Sequence, residues 1–511
     1  MPDAFIDAAG GIPRPAQVEP VHLRALRLGT GGSAGTDGSG VAVSGVTANS
    51  AAVRPGDLFA ALPGRTAHGA AFVPQALAAG AVAVLTDPSG REAVPAGVPA
   101  LVVDDVRAVL GALAAQVYGD PSSRLRVQAV TGTSGKTTTT YFLRAGLRAA
   151  GRTTGLIGTV ATLLGEREVK TGFTTPEAPE VHALLAVMAE AGVTDVAMEV
   201  SSHALAMGRV DGVRFETAAF TNLSQDHLDF HADMADYFAA KARLFDGRAR
   251  NAVVVTDDEW GVRMAAIAGP GVITVNTGGD DAATWRASEV RAGADGHTHF
   301  RVSGPHADLE TACAVPGRYN VANALLAIAM LEQVGVPVEV AAPAVATATV
   351  PGRMERIDAG QPFLAVVDYS HKPAAVDGAL QALRPLTRGR LIIVLGCGGD
   401  RDRGKRPHMG EIAARAADLL VITDDNPRSE DPAAIRGAMR EGALAVPPGE
   451  RGEVLEIGDR AAAIAHAVDV ARAGDTVLVA GKGHEAGQEI AGTVYPFDDR
   501  GVLRHALEAA R

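Results

Sequence analysis

Cysteine is nearly absent from this chain, with two in 511 residues. Cys313 and Cys397 stand far apart, which excludes a disulfide framework and a thiolate zinc site. Aromatic residues are scarce, at 4%, so the cores must be built from Ala, Val, Leu and Ile. Positive charge is outweighed, and the net charge of -12 argues against a uniformly basic nucleic-acid binder. Anionic ligands are still allowed, because local Arg, Lys and glycine amides can hold phosphate inside an acidic protein. No run of about 18 apolar residues occurs, and Met1-Pro2-Asp3-Ala4-Phe5 lacks the basic and apolar regions of a signal peptide. These absences predict a cytoplasmic soluble enzyme with neither nucleic acid nor membrane as partner. What is present, 47% hydrophobic and 21% charged residues, is a globular composition. At about 100–200 residues per domain, the length predicts two to four domains.

The stretch to residue 123 carries short β-type runs, Ala81 to Leu85 and Ala100 to Val103. The Gly/Ser/Thr-rich segment from Gly29 to Gly40 reads as a flexible loop. Turn chemistry from Tyr118 to Ser123 marks one domain boundary, and Pro351-Gly352 a second. Between them, strands from Arg126 to Val130, Asp195 to Val200 and Asn251 to Thr256 alternate with helical segments, one of them from about Thr138 to Ala150. That alternation predicts an α/β fold with a mainly parallel sheet. In the last stretch, Leu391–Leu395, Leu419–Thr423 and Thr476–Ala480 each run into a polar, glycine-bearing segment. Ligands of open α/β sheets bind beyond the carboxyl ends of strands, so these ends predict a second ligand site.

The strand ending at Val130 leads into Thr131-Gly132-Thr133-Ser134-Gly135-Lys136-Thr137-Thr138. Strand, glycine turn and helix start form the context of a phosphate loop, in which backbone N–H groups and the helix dipole hold an anion. Lys136 would neutralise outer phosphates and Thr137 would offer its hydroxyl to magnesium. Glu199 closes an apolar strand, where a carboxylate is costly unless paired or metal-bound. The cluster Asn222-Leu223-Ser224-Gln225-Asp226-His227-Leu228-Asp229-Phe230-His231 fits metal ligation and a polar helix start equally well. By itself Lys241 reads as a solvated helix lysine.

Taken together, the motifs resemble the Mur ligases, the cytoplasmic enzymes that build the peptide of bacterial cell-wall precursors. The matching residues are Thr131 to Thr138, Met198 to His203, Asn222 to Asp229, Tyr237 to Lys241, Gly317 to Asn320, Pro351 to Arg356 and Asp368 to His371. They follow the family's order and span nearly the whole chain. The resemblance implies three domains: a small N-terminal α/β UDP-binding domain at 1–123, a central ATPase domain at 124–350 and a C-terminal Rossmann-like, amino-acid-binding domain at 351–511. It implies ATP-dependent ligation through an acyl phosphate, magnesium as cofactor, small-molecule substrates and a monomer serving peptidoglycan synthesis, and through it cell shape and division.

The resemblance also implies residue roles. ATP would be held by Gly132, Thr133, Ser134, Gly135, Lys136, Thr137, Thr138, Asn320, Arg353 and Asp368. Lys136, Glu199, His227 and Lys241 would be catalytic. Magnesium would be held by Thr137, Glu199, His227 and Lys241, the last as a CO₂-derived carbamate. The UDP-muramoyl dipeptide would meet Ala48, Ser50, Arg65, Thr66, Ala67, Thr174, Thr175, Ser201 and Arg209. The segment Asp425-Asn426-Pro427-Arg428 matches the family's diaminopimelate motif, with Arg401, Gly481 and Glu485 completing that site. Arg428 suits a carboxylate, and Glu485 an ammonium. Lysine would be rejected because it leaves Arg428 unpaired. The alternatives are an L-lysine-adding Mur ligase and, from another class, a nucleotide-dependent binding protein. This chain departs from the family pattern at Asn49 and Ala51, where Asp and Arg are usual, and at Ser134, Met207, Ser370 and Lys372.

Overall fold

The computed structural model describes residues 12–27, 32–35 (backbone only), 40–64, 67–293 and 296–510. It divides into two compact units. One comprises Met1–Arg286, Ser303–Ala307 and Ala322–Val345; the other comprises Ala287–Val302, Asp308–Val321 and Ala346–Arg511. Among the described residues no helix is long and apolar enough to cross a membrane.

The first unit opens with a five-stranded sheet in the order Gly32–Gly35, Ala100–Val103, Ala83–Thr86, Asp57–Ala60, Gly45–Thr47. Its last four strands pair in parallel and Gly32–Gly35 pairs antiparallel to Ala100–Val103. The expected flexible loop from Gly29 to Gly40 is therefore corrected in part. Its small residues have a strand edge to pair with, and 32–35 take it; 29–31 and 36–39 lie outside the described residues. The helix Val106–Val117 begins at Asp105, whose carboxylate accepts from the N–H groups of Arg107 (2.9 Å) and Ala108 (3.2 Å), satisfying donors that a helix start leaves open.

The second sheet of this unit runs Arg167–Val169, Thr162–Leu164, Thr154–Ile157, Asp195–Glu199, Arg126–Thr131, Phe215–Phe220, Ala249–Val255, Ile273–Asn276. Its six strands from Thr154–Ile157 onward are parallel. They are short apolar runs because both faces are covered, and Val127, Ala129, Ile157, Leu184, Met198 and Phe220 share one buried core. At the amino ends, Arg126 grips the buried Asp195 through Nε (2.8 Å) and Nη2 (2.7 Å). The register pairs Glu199 with Val130 and Phe220 with Thr131. Glu199, Gly132 and Thr221 thereby reach the same carboxyl edge.

The second unit is built on the order Glu355–Arg356, Leu364–Asp368, Thr476–Ala480, Leu391–Leu395, Leu419–Ile422, Glu453–Glu456, with only the first strand antiparallel. Asp368, Ala480, Leu395 and Ile422 end in register. Beneath these ends lies a fully buried ion pair. Arg460 meets Asp499 through Nε and Nη2, both at 2.7 Å. The same guanidinium donates to the carbonyls of Ala480 (3.0 Å) and Asp424 (3.4 Å), tying together two strand ends. Removing one partner of a buried pair strands the other charge, at a cost of about 3–5 kcal/mol. Asp499→Ala is expected to lower hydrogen-exchange protection of Thr476–Ala480 and Leu419–Ile422 while sparing Arg126–Thr131; unchanged protection would contradict this role.

Candidate active site

The phosphate loop leaves the strand Arg126–Thr131 and enters the helix Lys136–Ala149. Gly132 has φ 147°, and a Cβ there would sit 1.8 Å from Thr221 Oγ1, so no side chain fits. The loop is strapped to the neighbouring strand end. Thr133 N–H donates to Asn222 O (2.9 Å), Ser134 N–H to Asn222 Oδ1 (3.1 Å), and Thr221 Oγ1 to Ser134 O (2.6 Å). The N–H groups of Thr133 and Ser134 are thus used internally. The first-turn N–H groups of the helix have no intrahelical acceptor. Thr137 and Thr138 lie in that turn. Lys136 Nζ curls back onto the carbonyls of Gly132 (2.9 Å) and Thr133 (3.0 Å).

Glu199 is 1% exposed. Its oxygens accept from Thr159 N–H (2.8 Å) and Thr159 Oγ1 (3.0 Å). A buried carboxylate met by neutral donors suits a cation. Lys241 is not a solvated lysine: it is 1% exposed, donates to Gly132 O at 2.7 Å and lies 4.5 Å from the Tyr237 ring centroid. Tyr237 Oη lies 3.1 Å from Thr133 Oγ1, and burial pushes its phenol above the ordinary range. The residues from Asn222 to His231 form a loop, not a helix start; the next helix is Met234–Ala242. His227 stands there at φ 52°, its Nε2 3.3 Å from Asp226. His203 lies edge-on to it at 4.8 Å, held below the usual imidazole pKa by burial and by His231. Among the described residues no group of three or more His, Cys, Asp and Glu is placed to hold a metal; the expected set includes a hydroxyl and a modified lysine, which are outside those types.

The expected dipeptide contacts fall into two places. Thr174, Thr175, Ser201 and Arg209 are brought together beside Glu199. Thr174 Oγ1 lies 3.0 Å from Thr159 Oγ1, Thr175 Oγ1 donates to Glu199 O (2.9 Å), and Ser201 N–H donates to Thr175 Oγ1 (3.2 Å). Arg209 donates to Thr175 O (3.2 Å), pairs with Glu177 (2.9 Å) and stacks on Phe173, yet its buried Nε has no hydrogen-bond partner. In the N-terminal sheet region Ser50 Oγ donates to Gln75 (3.1 Å), Ala48 packs on the core, and Ala67 is exposed, its carbonyl accepting from Gly64 N–H. Arg65 and Thr66 lie outside the described residues.

In the second unit Asp368 accepts from Met354 N–H (2.7 Å) and Ser370 N–H (2.9 Å). Arg353 stacks on Tyr369 at 4.2 Å with a buried, unpartnered Nη1, an orphan donor suited to a phosphate. Asn320 donates to Pro316 O (2.7 Å). At the neighbouring strand ends Asn426 Nδ2 donates to Glu485 Oε2 (2.9 Å). Burial, reinforced by Asp425, raises the Glu485 carboxyl above its ordinary pKa. Asp425 Oδ1 is buried with no hydrogen bond, but lies 3.3 Å from the Lys482 ammonium. Arg428, at φ 53°, uses Nη1 on Gly399 O (2.7 Å) and Nε on Glu489 (3.2 Å). Pro427 is buried and Arg401 exposed. Gly481 has φ 120°, so the backbone there, more than space, calls for glycine.

The sequence assigned no role to Thr159, Tyr237 or Lys482. For Thr159 the available signal was Gly158, another glycine at a strand end. Lys482 is enclosed among Asp425, Asn426 and Glu485.

A parallel-sheet nucleotide loop with a buried carboxylate and lysine, and a second sheet ending in paired carboxylates and an arginine, define an ATP-dependent ligase architecture. Residues 42–118 match the Mur ligase family catalytic domain, 130–331 the Mur ligase middle domain, and 352–483 the Mur ligase glutamate ligase domain. The chain is 55% identical over 502 residues to the UDP-N-acetylmuramoyl-L-alanyl-D-glutamate–2,6-diaminopimelate ligase of Streptomyces avermitilis, with 98% of each chain covered. It is also 55% identical over 504 residues to the ligase of that name from Streptomyces coelicolor, again with 98% of each covered. A solved structure of a ligase with this name aligns at TM-score 0.69 and 32% identity, covering 93% of this chain and 97% of that one. The chain belongs to the Mur ligase family and has its three-domain α/β architecture.

A hydrogen bond to a charged group contributes about 1.5–3 kcal/mol. Thr159→Val, which removes the hydroxyl on Glu199, is therefore expected to lower kcat about tenfold or more, together with a lower melting temperature. Wild-type kcat in that variant would contradict the role given to Thr159.

Proposed function

We propose that this chain joins 2,6-diaminopimelate to UDP-N-acetylmuramoyl-L-alanyl-D-glutamate at the expense of ATP, in peptidoglycan precursor synthesis. The observation that carries the reading is the pairing of opposite charges at one sheet edge. Asp425 and Glu485 suit an ammonium, while Arg428, engaged through Nη1 and Nε, has its Nη2 edge for a carboxylate. Diaminopimelate carries an ammonium and a carboxylate at both ends; lysine lacks the second carboxylate.

A carboxylate is a poor acyl donor, so the reaction needs a leaving group. The free side-chain carboxylate oxygen of the D-glutamyl residue attacks the γ-phosphorus of ATP, the bond from that phosphorus to the β–γ bridging oxygen breaks, and ADP departs. The amine of the incoming amino acid then attacks the acyl carbon, the carbon–oxygen bond to phosphate breaks, and the nitrogen releases a proton. In this reading the loop from Gly132 to Thr138, with Asn320, Arg353 and Asp368, holds ATP. Ala48, Ser50, Arg65, Thr66 and Ala67 meet the uridine side, and Thr174, Thr175, Ser201 and Arg209 the dipeptide. Arg401, Asp425, Asn426, Pro427, Arg428, Gly481 and Glu485 take the amino acid.

The hydroxyl of Thr137 and the carboxylate of Glu199 are oxygen donors of the kind magnesium prefers, with His227 and a carbamate on Lys241 completing the proposed set. Bound magnesium would neutralise charge on the transferring phosphoryl group. As an ammonium Lys241 braces Gly132 O; as a carbamate it would exchange that contact for an anionic one. The domain limits proposed are 1–123, 124–350 and 351–511. The reading places the chain in the cytoplasm as a monomer acting on small molecules.

Phosphate release with ATP, magnesium and the UDP-dipeptide is expected to require diaminopimelate and to yield a product heavier by one diaminopimelate residue. Faster turnover with L-lysine would overturn the amino-acid assignment, and release independent of both acceptor and amine would overturn the ligase.

A further inference from the structure

Lys482 is fully buried, in a segment, Gly481-Lys482-Gly483, whose glycines would ordinarily mark a solvated loop. A buried ammonium persists only when paired and hydrogen-bonded. Its contacts all lie in the second unit: Asn426 Oδ1 at 2.8 Å, Gly487 O at 2.8 Å, Asp425 Oδ1 at 3.3 Å and Glu485 Oε2 at 3.8 Å. The first of these has a consequence for the amide. Asn426 Oδ1 also accepts from Glu489 N–H at 3.0 Å. Both partners of that oxygen, an ammonium and a backbone N–H, can only donate. The amide therefore has one orientation, with Nδ2 turned to Glu485 Oε2 at 2.9 Å. The amide oxygen is thereby saturated, so toward a ligand the Asn426 side chain can only donate, and Asp425 and Glu485 are left to accept.

We propose that Lys482 is the positioning residue of the amino-acid site: its ammonium fixes the amide of Asn426 and holds Asp425 and Glu485 where they meet the ammonium of the incoming amino acid. The inference rests on the proposed diaminopimelate site and adds to it a residue that touches no substrate. A second buried cation, Arg460, braces the same strand ends from below but spends its charge on Asp499, so Lys482 faces the two site carboxylates directly.

The titratable groups facing Glu485 are Asp425, Lys482, Arg428 and Tyr369, whose phenol hydrogen-bonds it, with Arg460 nearby. The Asn426 hydrogen bond, Lys482 and Arg428 favour the carboxylate, while burial and Asp425 oppose it. Deleting the ammonium therefore moves the Glu485 carboxyl further up. Because only the ionised form takes an ammonium, the pH at which diaminopimelate binding is lost on acidification moves up with it.

The test compares wild type, Lys482→Met, Glu485→Gln and the double variant, with KM for diaminopimelate, ATP and the UDP-dipeptide measured across pH. Lys482→Met is expected to raise KM for diaminopimelate about tenfold or more, the scale of one lost charge-assisted contact. Its KM for ATP should stay within about twofold, and the acid limb of the diaminopimelate profile should shift to higher pH. In the Glu485→Gln background the same change should lose the part of its effect that runs through Glu485 and keep the part that runs through Asn426 and Asp425. Additive effects, or an unshifted acid limb in a folded Lys482→Met protein, overturn the proposal. If the single variant fails to fold, the double variant carries the comparison against Glu485→Gln: a further rise in KM for diaminopimelate with KM for ATP within about twofold supports the proposal, and an unchanged KM for diaminopimelate overturns it. A wild type that ignores diaminopimelate but ligates another amine overturns the amino-acid assignment itself, and the role of Lys482 with it.

Discussion

Two lysine ammoniums converge on one carbonyl, that of Gly132, Lys136 at 2.9 Å and Lys241 at 2.7 Å. The carbonyl is available because the strand Arg126–Thr131 has just ended and its ladder partners have run out. Every chemical group of the first unit is arranged around that event. The parallel register brings Glu199 and Thr221 to the same edge, and Asn222 takes the loop's own N–H groups. Thr159 then fixes the orientation of the Glu199 carboxylate. Were the register to slip by one residue, side chains would swap faces and Glu199 would point away from the loop.

The second unit meets the same constraint differently. Its strand ends are held by charge more than by backbone: Arg460 ties the carbonyls of Asp424 and Ala480, and Lys482 collects Asn426, Asp425 and Glu485. Buried ions are expensive, and here each is compensated within hydrogen-bonding or ion-pair distance. What this arrangement secures is geometry, a fixed amide and fixed carboxylates, more than stability.

Much of this was legible in the residues. Short apolar strands that end in glycine and polar residues announce a parallel sheet, and Glu199 at such an end stands out because a buried carboxylate is costly unless paired, hydrogen-bonded or metal-bound. The diaminopimelate motif and its partners were legible only through family resemblance, since a lone Arg or Asn has no signature. Lys241 shows the limit of local reading: on its own helix it looks solvated, and only tertiary packing against the phosphate loop, where it donates to Gly132 O, buries it. Lys482 was hidden by flanking glycines, Thr159 by its ordinariness, and the strand at 32–35 by a composition that suits a loop until an edge is offered. The Asn222–His231 segment carried polar residues that a helix start would also carry; the backbone uses them in a loop.

The central claim is that the buried carboxylate, lysine and phosphate loop serve to activate a substrate carboxylate as an acyl phosphate. The most direct test labels the D-glutamyl side-chain carboxylate of the UDP-dipeptide with oxygen-18 and follows the label during turnover with diaminopimelate and ATP. The account predicts one labelled oxygen in each phosphate released, because the oxygen that attacks phosphorus leaves with it. Unlabelled phosphate accompanying product formation would contradict it.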